Sequence, residues 1–358
     1  MPSAREGLNA LLAAAEGRPA AMVAVARQVS NAGDAAEAAA ICTRALALDG
    51  CTPETIAQAR ELITTSVPKW HFSIVRDTVR NDAYEAALAR AVTTRSRVLE
   101  IGTGTGILSM MAARAGAAHV ITCEMNPAVA AAAREVIAAN GLSDRITVVQ
   151  KHSDDLDVEA DLGGPADVLV SEIVSNDLLG EGALPVMEKV VPRLLKPGAA
   201  VIPVRGQVRI ALAEDPGAAR RSMGTISGFD LSAFNQLQRS VHHGRNGPGR
   251  TILRSQVHDL FSFDFGSGGP YRSGRTRLAL ESTGGRVNGV VRWIGLDLDD
   301  AVRYENIPQE GGFSCWAHLF TPLDEPVDTA PGDTVTIGAR HDRTHVTIWV
   351  ETPGPGAG

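Results

Sequence analysis

Aromatic residues are scarce in this 358-residue sequence: Phe, Trp and Tyr together make up 4% of it, and the first 65 positions are especially poor in them. Cysteine is nearly as rare, and Cys42, Cys51, Cys123 and Cys315 are scattered without paired metal-ligand spacing, which speaks against a bound metal and suits a reducing cytoplasm. No basic stretch followed by an apolar core opens the chain, and no segment approaches the roughly 20 uninterrupted apolar residues a membrane-spanning helix needs. Positive charge is not in excess: 34 Lys plus Arg stand against 41 Asp plus Glu, a formal charge of -7. That balance offers no general attraction to a phosphate backbone or an anionic membrane, so neither nucleic acid nor membrane is an expected partner. What remains is ordinary globular material, 44% apolar and 21% charged, in a chain longer than one hydrophobic core usually organises. Two domains and an appendage are expected.

The texture changes along the chain accordingly. Residues 1–65 carry 19 alanines in their first 60 positions, with apolar residues at helical spacing, and form a helical segment. Gly33 to Ala38 leading into Arg44 to Gly50 resembles the second half of a tetratricopeptide unit. A single such unit cannot bury its own face, so the segment should pack on the rest of the protein. Residues 66–203 alternate short β-branched runs with helical stretches: strands at 97–101, 119–123, 146–150 and 168–170, helices at 108–115 and 127–140. That alternation implies right-handed crossovers and a parallel, doubly wound sheet of the Rossmann-like kind. Residues 204–352 read as strands at 207–212, 256–264, 277–281, 287–298, 315–320, 334–339 and 345–351, separated by turns and without a strong helix. Such spacing argues for an antiparallel barrel or sandwich. Residues 353–358 form a loose tail.

The chemistry concentrates in the middle region. Gly102-Thr103-Gly104-Thr105-Gly106 lies between a strand and a helix, where glycines allow a close backbone approach to a ligand. Its spacing departs from the GxGxxG dinucleotide fingerprint, since Ile107 follows the third glycine; this disfavours NAD and suits S-adenosylmethionine. Glu124 ends the next strand, placed to accept hydrogen bonds from both ribose hydroxyls. The third strand end carries Ser153, Asp154 and Asp155, one of which is expected at the adenine. Val168 to Ser171 leads to Glu172, and Glu181 follows nine residues on. Two carboxylates flanking one loop match the fixed donor fork of a guanidinium, although on residue type alone they equally suit ordinary surface acids.

Taken together, the Ser171-Glu172…Glu181 loop behind a Gly-Thr-Gly-Thr-Gly loop resembles the double-glutamate loop of the protein arginine N-methyltransferase family, and the resemblance extends over most of the chain. Trp70-His71-Phe72…Asp77…Arg80-Asn81…Tyr84 is similar to the helices that close over the cofactor there; Gly228-Phe229-Asp230 and Phe313 to Trp316 resemble segments of its barrel. The likeness implies Arg80 on the methionine carboxylate, His71 lining the cofactor pocket, Gly102 and Gly104 beneath the ligand, Glu124 on the ribose, and Trp316 beside the substrate. It implies S-adenosylmethionine as cofactor, S-adenosylhomocysteine as product and no metal. It also implies a homodimer whose arm, placed at 215–245, docks on the partner. Departures are visible: Cys315 stands where the family's substrate-side segment carries histidine, and Ala183 follows Gly182 where dimethylating members often have methionine. In the implied reaction Glu172 and Glu181 orient the guanidine and polarise its charge. The acceptor is expected to be arginine, with free L-arginine favoured over peptidyl arginine. The replaced histidine, the acidic charge and a composition typical of high-GC bacteria, some of whose similar enzymes methylate free arginine in natural-product assembly, point that way. A repeat-bearing scaffold without activity, and a methyltransferase acting on another amine or a ribosomal protein, are the competing readings.

Overall fold

The computed structural model describes residues 4–217, 223–237, 241–244, 251–308 and 313–351. It opens with four helices, α1 (Ala4–Ala15), α2 (Pro19–Asn31), α3 (Ala35–Leu46) and α4 (Pro53–Ser66). The Asp34 side chain caps α3 by accepting from the Glu37 amide at 2.9 Å, and Thr52 caps α4 through the Thr55 amide at 3.1 Å. Satisfying these orphan amides defines where each helix begins. Buried Ala38, Ala39 and Ala45 let the helices approach closely, and Met22, Val23, Ile41 and Leu62 fill a core of their own. The likeness of 33–50 to a tetratricopeptide unit rests on sequence alone.

Two further helices follow, the short α5 (Trp70–Ile74) and α6 (Thr78–Ala91), the second capped by Asp77. The chain then alternates β1 (Arg97–Ile101), α7 (Ile107–Arg114), β2 (His119–Cys123), α8 (Pro127–Ala139), β3 (Ile146–Val149), β4 (Ala166–Ser171), α9 (Ala183–Leu194) and β5 (Leu195–Ile202). All strand pairs are parallel, in the order β3-β2-β1-β4-β5. Strand order reverses between β1 and β4, so their carboxyl ends diverge and leave a crevice, the general ligand position of such sheets. Val98, Leu99, Ile121 and Leu169 are almost wholly buried, as strands covered on both faces require.

Beyond Pro203 the strands are antiparallel and longer than expected. The separate runs at 277–281 and 287–298 are one 24-residue strand, Gly274–Asp297, and those at 315–320 and 334–339 are carried into another, His318–His341. Gly284 and Gly285, both at positive φ, are carried within this ladder instead of reversing the chain, between register shifts at Glu281/Thr283, where Thr283 pairs with Pro331, and at Val287/Gly289. The expected barrel is corrected: Val346–Glu351 and His258–Asp264 lie on opposite sides of the sheet, and no pairing joins them among the described residues. Alternating strands establish a two-faced sheet, while closure demands a matching stagger that local pattern does not encode. No helix of the described residues is long and apolar enough to cross a membrane. The expected tail at 353–358 and parts of the expected arm (218–222, 238–240 and 245) lie outside the described residues.

Candidate active site

A cavity of about 380 Å³ opens at the carboxyl ends of β1 to β4. Gly102, Gly104, Glu124, Ser153, Glu172, Glu181, His71 and Arg80 all line it, drawn together from positions 110 residues apart in sequence. The glycine loop turns there because Gly102, Gly104 and Gly106 adopt φ of +86°, +51° and +80°, which other residues rarely accept. A Cβ on Gly102 would stand 3.2 Å from Ile173 Cγ2, so a side chain there would press on the β4 end as well as strain the backbone. The Gly104 amide donates to Glu124 Oε2 at 3.2 Å and the Asn126 amide to Oε1 at 2.9 Å, fixing that carboxylate at the cavity edge. Burial holds the Glu124 carboxyl above its usual pKa.

A smaller cavity of about 130 Å³ adjoins the first and shares Trp70, Ile74, Glu172 and Glu181 with it. Its remaining walls include Asn176, Cys315 and Trp316. Glu172 is therefore placed between the two spaces, its side chain only 6% exposed and its Oε2 accepting from Arg80 Nη2 at 3.2 Å. Burial pushes its carboxyl up to about 8, with Arg80 opposing and Glu181 adding to the shift. Glu181 is exposed at the rim, and partial desolvation also raises its carboxyl.

Arg80 is 2% exposed, stacks over Tyr84 at 4.9 Å, and donates from Nη1 to Asn81 Oδ1 at 2.8 Å. Its Nε is buried without a partner, as is Nδ1 of His71, whose ring stacks on Trp70 at 3.8 Å. Two unsatisfied buried nitrogens on the wall of one cavity are costly unless a polar ligand completes them. Together with the glycine cradle and Glu124, they fit the methionine and ribose ends of S-adenosylmethionine. Asp77 organises the floor from behind: its Oδ1 accepts from the Arg80 amide at 3.0 Å, and its Oδ2 from the Tyr304 hydroxyl at 2.8 Å and the Cys315 amide at 2.9 Å.

Asp154 lines neither cavity, and Lys189 of α9 holds its Oδ2; of the three candidates at this strand end, Ser153 lies at the cavity, 4% exposed. The expected strand at 315–320 is corrected: residues 315–317 are not strand, and the ladder begins at His318. The Trp316 indole donates to the Val174 carbonyl at 3.0 Å and the Ala317 amide to Asn176 Oδ1 at 2.8 Å, pinning the segment to the double-glutamate loop. His318 is instead buried near Thr251, and burial lowers it to about 4. A buried acid of the cavity also escaped the sequence reading. Glu100, 1% exposed on β1, accepts from the Ser109 hydroxyl, and burial pushes it up to about 7. An acid inside the otherwise apolar Val98-Leu99-Glu100-Ile101 was the available signal.

Comparison with known proteins places this geometry among relatives. Residues 85–202 match the family described as ribosomal protein L11 methyltransferase (PrmA), a span that covers the parallel sheet. The arginine N(omega)-methyltransferase of Streptomyces achromogenes subsp. streptozoticus is 38% identical over 312 residues, 85% of each chain. Protein arginine N-methyltransferase 7 of Oryza sativa subsp. japonica is 43% identical over 69% of this chain, which spans 37% of that longer protein. Among solved structures, the Trypanosoma brucei PRMT1 enzyme-prozyme heterotetrameric complex with AdoHcy superposes with a TM-score of 0.70 at 22% identity, covering 81% of this chain and 95% of that one. Arabidopsis thaliana protein arginine methyltransferase 10 follows with a TM-score of 0.64 at 20% identity, covering 75% and 86%. At that identity the two structures speak for the fold.

Proposed function

Because the chain belongs to the protein arginine N-methyltransferase family and is an S-adenosylmethionine-dependent arginine methyltransferase, we propose that its acceptor is free L-arginine, methylated at a terminal guanidino nitrogen. The observation that carries the site assignment is that Glu172 and Glu181 face both cavities at once. The larger cavity takes the cofactor, held by Arg80 at its carboxylate, Glu124 at its ribose and Ser153 near its adenine, over Gly102 and Gly104, with His71 on the wall. The smaller takes the guanidinium, with Trp316 as its wall. When bound, the cofactor supplies an electrophilic methyl group on a sulfonium. Glu172 and Glu181 fix the planar cation and draw positive charge away from the attacking nitrogen, whose lone pair is otherwise delocalised. One of them is placed to accept the proton that leaves.

Support for the free amino acid comes from the Streptomyces relative, named for arginine and matched along 85% of both chains. It comes also from Cys315, whose amide is occupied by Asp77 and which offers no imidazole to a peptide. Incubating the protein and S-adenosylmethionine with free L-arginine, an arginine-rich peptide and a lysate, and locating methyl by fragmentation, tests this. Label on free arginine at a terminal nitrogen is the expected result; label on peptide or lysate protein alone would make the acceptor peptidyl.

The same reading includes a cytoplasmic homodimer. Within the described part of the arm, Phe229 is 72%, Phe234 57% and Leu237 74% exposed, beside the small hairpin of Thr225–Ile226 with Phe229–Asp230. Apolar side chains so exposed on one short segment suit a surface on a second copy. Phe229→Asp is expected to weaken self-association by about tenfold or more, as loss of an aromatic anchor does, and light scattering at graded concentration measures it. An unchanged dimer would move the interface elsewhere.

A further inference from the structure

We infer that the N-terminal four-helix segment is the outer wall of the cofactor cavity, and that its docking is coupled to cofactor occupancy through Asn126. Ala36 from the first turn of α3, Ser66 from the end of α4 and Pro68 line the larger cavity beside Glu124, Met125 and Asn126. These contributions come from a body with its own core, which meets the nucleotide-binding sheet where α3 packs on α8. Every polar group of Asn126 is engaged, and one of them crosses between the two parts. Its amide donates to Glu124 Oε1 at 2.9 Å, and its Oδ1 accepts from the Ala128 and Val129 amides, capping α8. Its Nδ2 donates to the Ser66 carbonyl at 3.1 Å. One residue thus ties the carboxylate at the ribose position through its backbone amide, and the start of α8 and the end of α4 through its side chain.

A ligand held by Glu124 touches both bodies, so its binding energy favours the docked arrangement, and the docked wall in turn favours the ligand. Excluding water from that edge also strengthens the hydrogen bonds the Glu124 carboxylate makes. The helices are in this view a specificity element for the nucleoside end of the cofactor, with Ala36 setting the room available there. The inference rests on S-adenosylmethionine occupying the larger cavity and is independent of which arginine is the acceptor.

Calorimetry of S-adenosylhomocysteine binding to the full chain tests it, with three variants. Ala36→Phe extends a ring from an exposed first-turn position toward the cavity and is expected to weaken binding about tenfold, one decade in dissociation constant. Asn126→Ser keeps a competent cap for α8 but no longer reaches Ser66, and is expected to weaken binding severalfold. Gln58→Phe, exposed on α4 and outside the cavity lining, serves as the control and should bind as wild type does. Hydrogen exchange adds a readout that a merely structural role would not move: ligand should protect the amides of 33–40 and 60–68 in the wild type and protect them less in Asn126→Ser. Wild-type affinity in Ala36→Phe, or ligand-insensitive exchange in those segments, overturns the coupling while leaving the cofactor assignment intact. Failure of the wild type to bind S-adenosylhomocysteine overturns both.

Discussion

Glu172→Gln is expected to lower turnover by about a thousandfold while cofactor binding stays within a few-fold of wild type. The two effects separate because of the pair Glu172 makes. Its side chain is 6% exposed and ion-paired with Arg80, so the carboxylate acts in a poorly solvated space where a lost charge is not replaced by water. A glutamine keeps the shape and one acceptor but forfeits the negative charge that would face a guanidinium. Arg80, released from its carboxylate partner, remains a cation beside the cofactor cavity and can meet a ligand carboxylate unopposed. Glu181→Gln should cost less, because Glu181 is exposed and water partly compensates for it. Steady-state turnover together with calorimetry of S-adenosylhomocysteine distinguishes these contributions. Near-normal turnover in Glu172→Gln, with cofactor still bound, would remove Glu172 from the reaction.

How much of this site was legible depends on how locally each residue acts. Gly102, Gly104 and Glu124 could be read directly, because a strand-loop-helix turn and the next strand end are short-range features whose geometry the sequence nearly dictates. Glu172 and Glu181 became meaningful only when joined to that loop and to a known family's pattern. Asp154 lies off the cavity lining and is paired with Lys189, 35 residues later on α9, and no local rule announces an ion pair of that range. Residues 315–317 were read as the start of a strand at 315–320, whereas Val174 and Asn176, about 140 residues earlier, hold them out of the ladder. The role of the N-terminal helices was equally hidden. Their amphipathic pattern predicts a core, but that Ala36 reaches a nucleotide cavity is a property of docking. The two long strands show the opposite difficulty: Gly284, Gly285 and Pro331 carry turn signals that pairing with a neighbouring strand overrides, with register shifts on either side at Glu281/Thr283 and Val287/Gly289.

The acidity of Glu172 makes the pH dependence of the enzyme its most diagnostic property. Burial pushes this carboxyl to about 8 in the ligand-free site, so it holds its proton through the neutral range. A protonated carboxyl cannot neutralise a guanidinium, and the competent fraction falls tenfold for each unit below that value. The kcat/KM for arginine, which reports groups of the free enzyme, is therefore expected to rise about fiftyfold between pH 6 and 8 and to level off about one unit higher. The limb in kcat should lie at lower pH, because a bound guanidinium favours the ionised carboxylate. Glu181→Gln removes a like charge and should move the kcat/KM limb downward too. A limb near 7 that shifts on Glu100→Gln would instead assign the titration to the buried acid on β1. Stability supplies an independent check with a definite sign. The unfolded chain releases the Glu172 proton near the ordinary glutamate value of 4.5, while the folded protein retains it to about 8. Between these values the folded state binds more protons, so rising pH costs stability. Glu172→Gln lacks that slope, and chemical denaturation at pH 5 and pH 8 should find the variant gaining on the wild type at the higher pH. A wild type and variant that stay in step across that range would mean the carboxyl is already ionised in the resting site, with the Arg80 ion pair outweighing its burial.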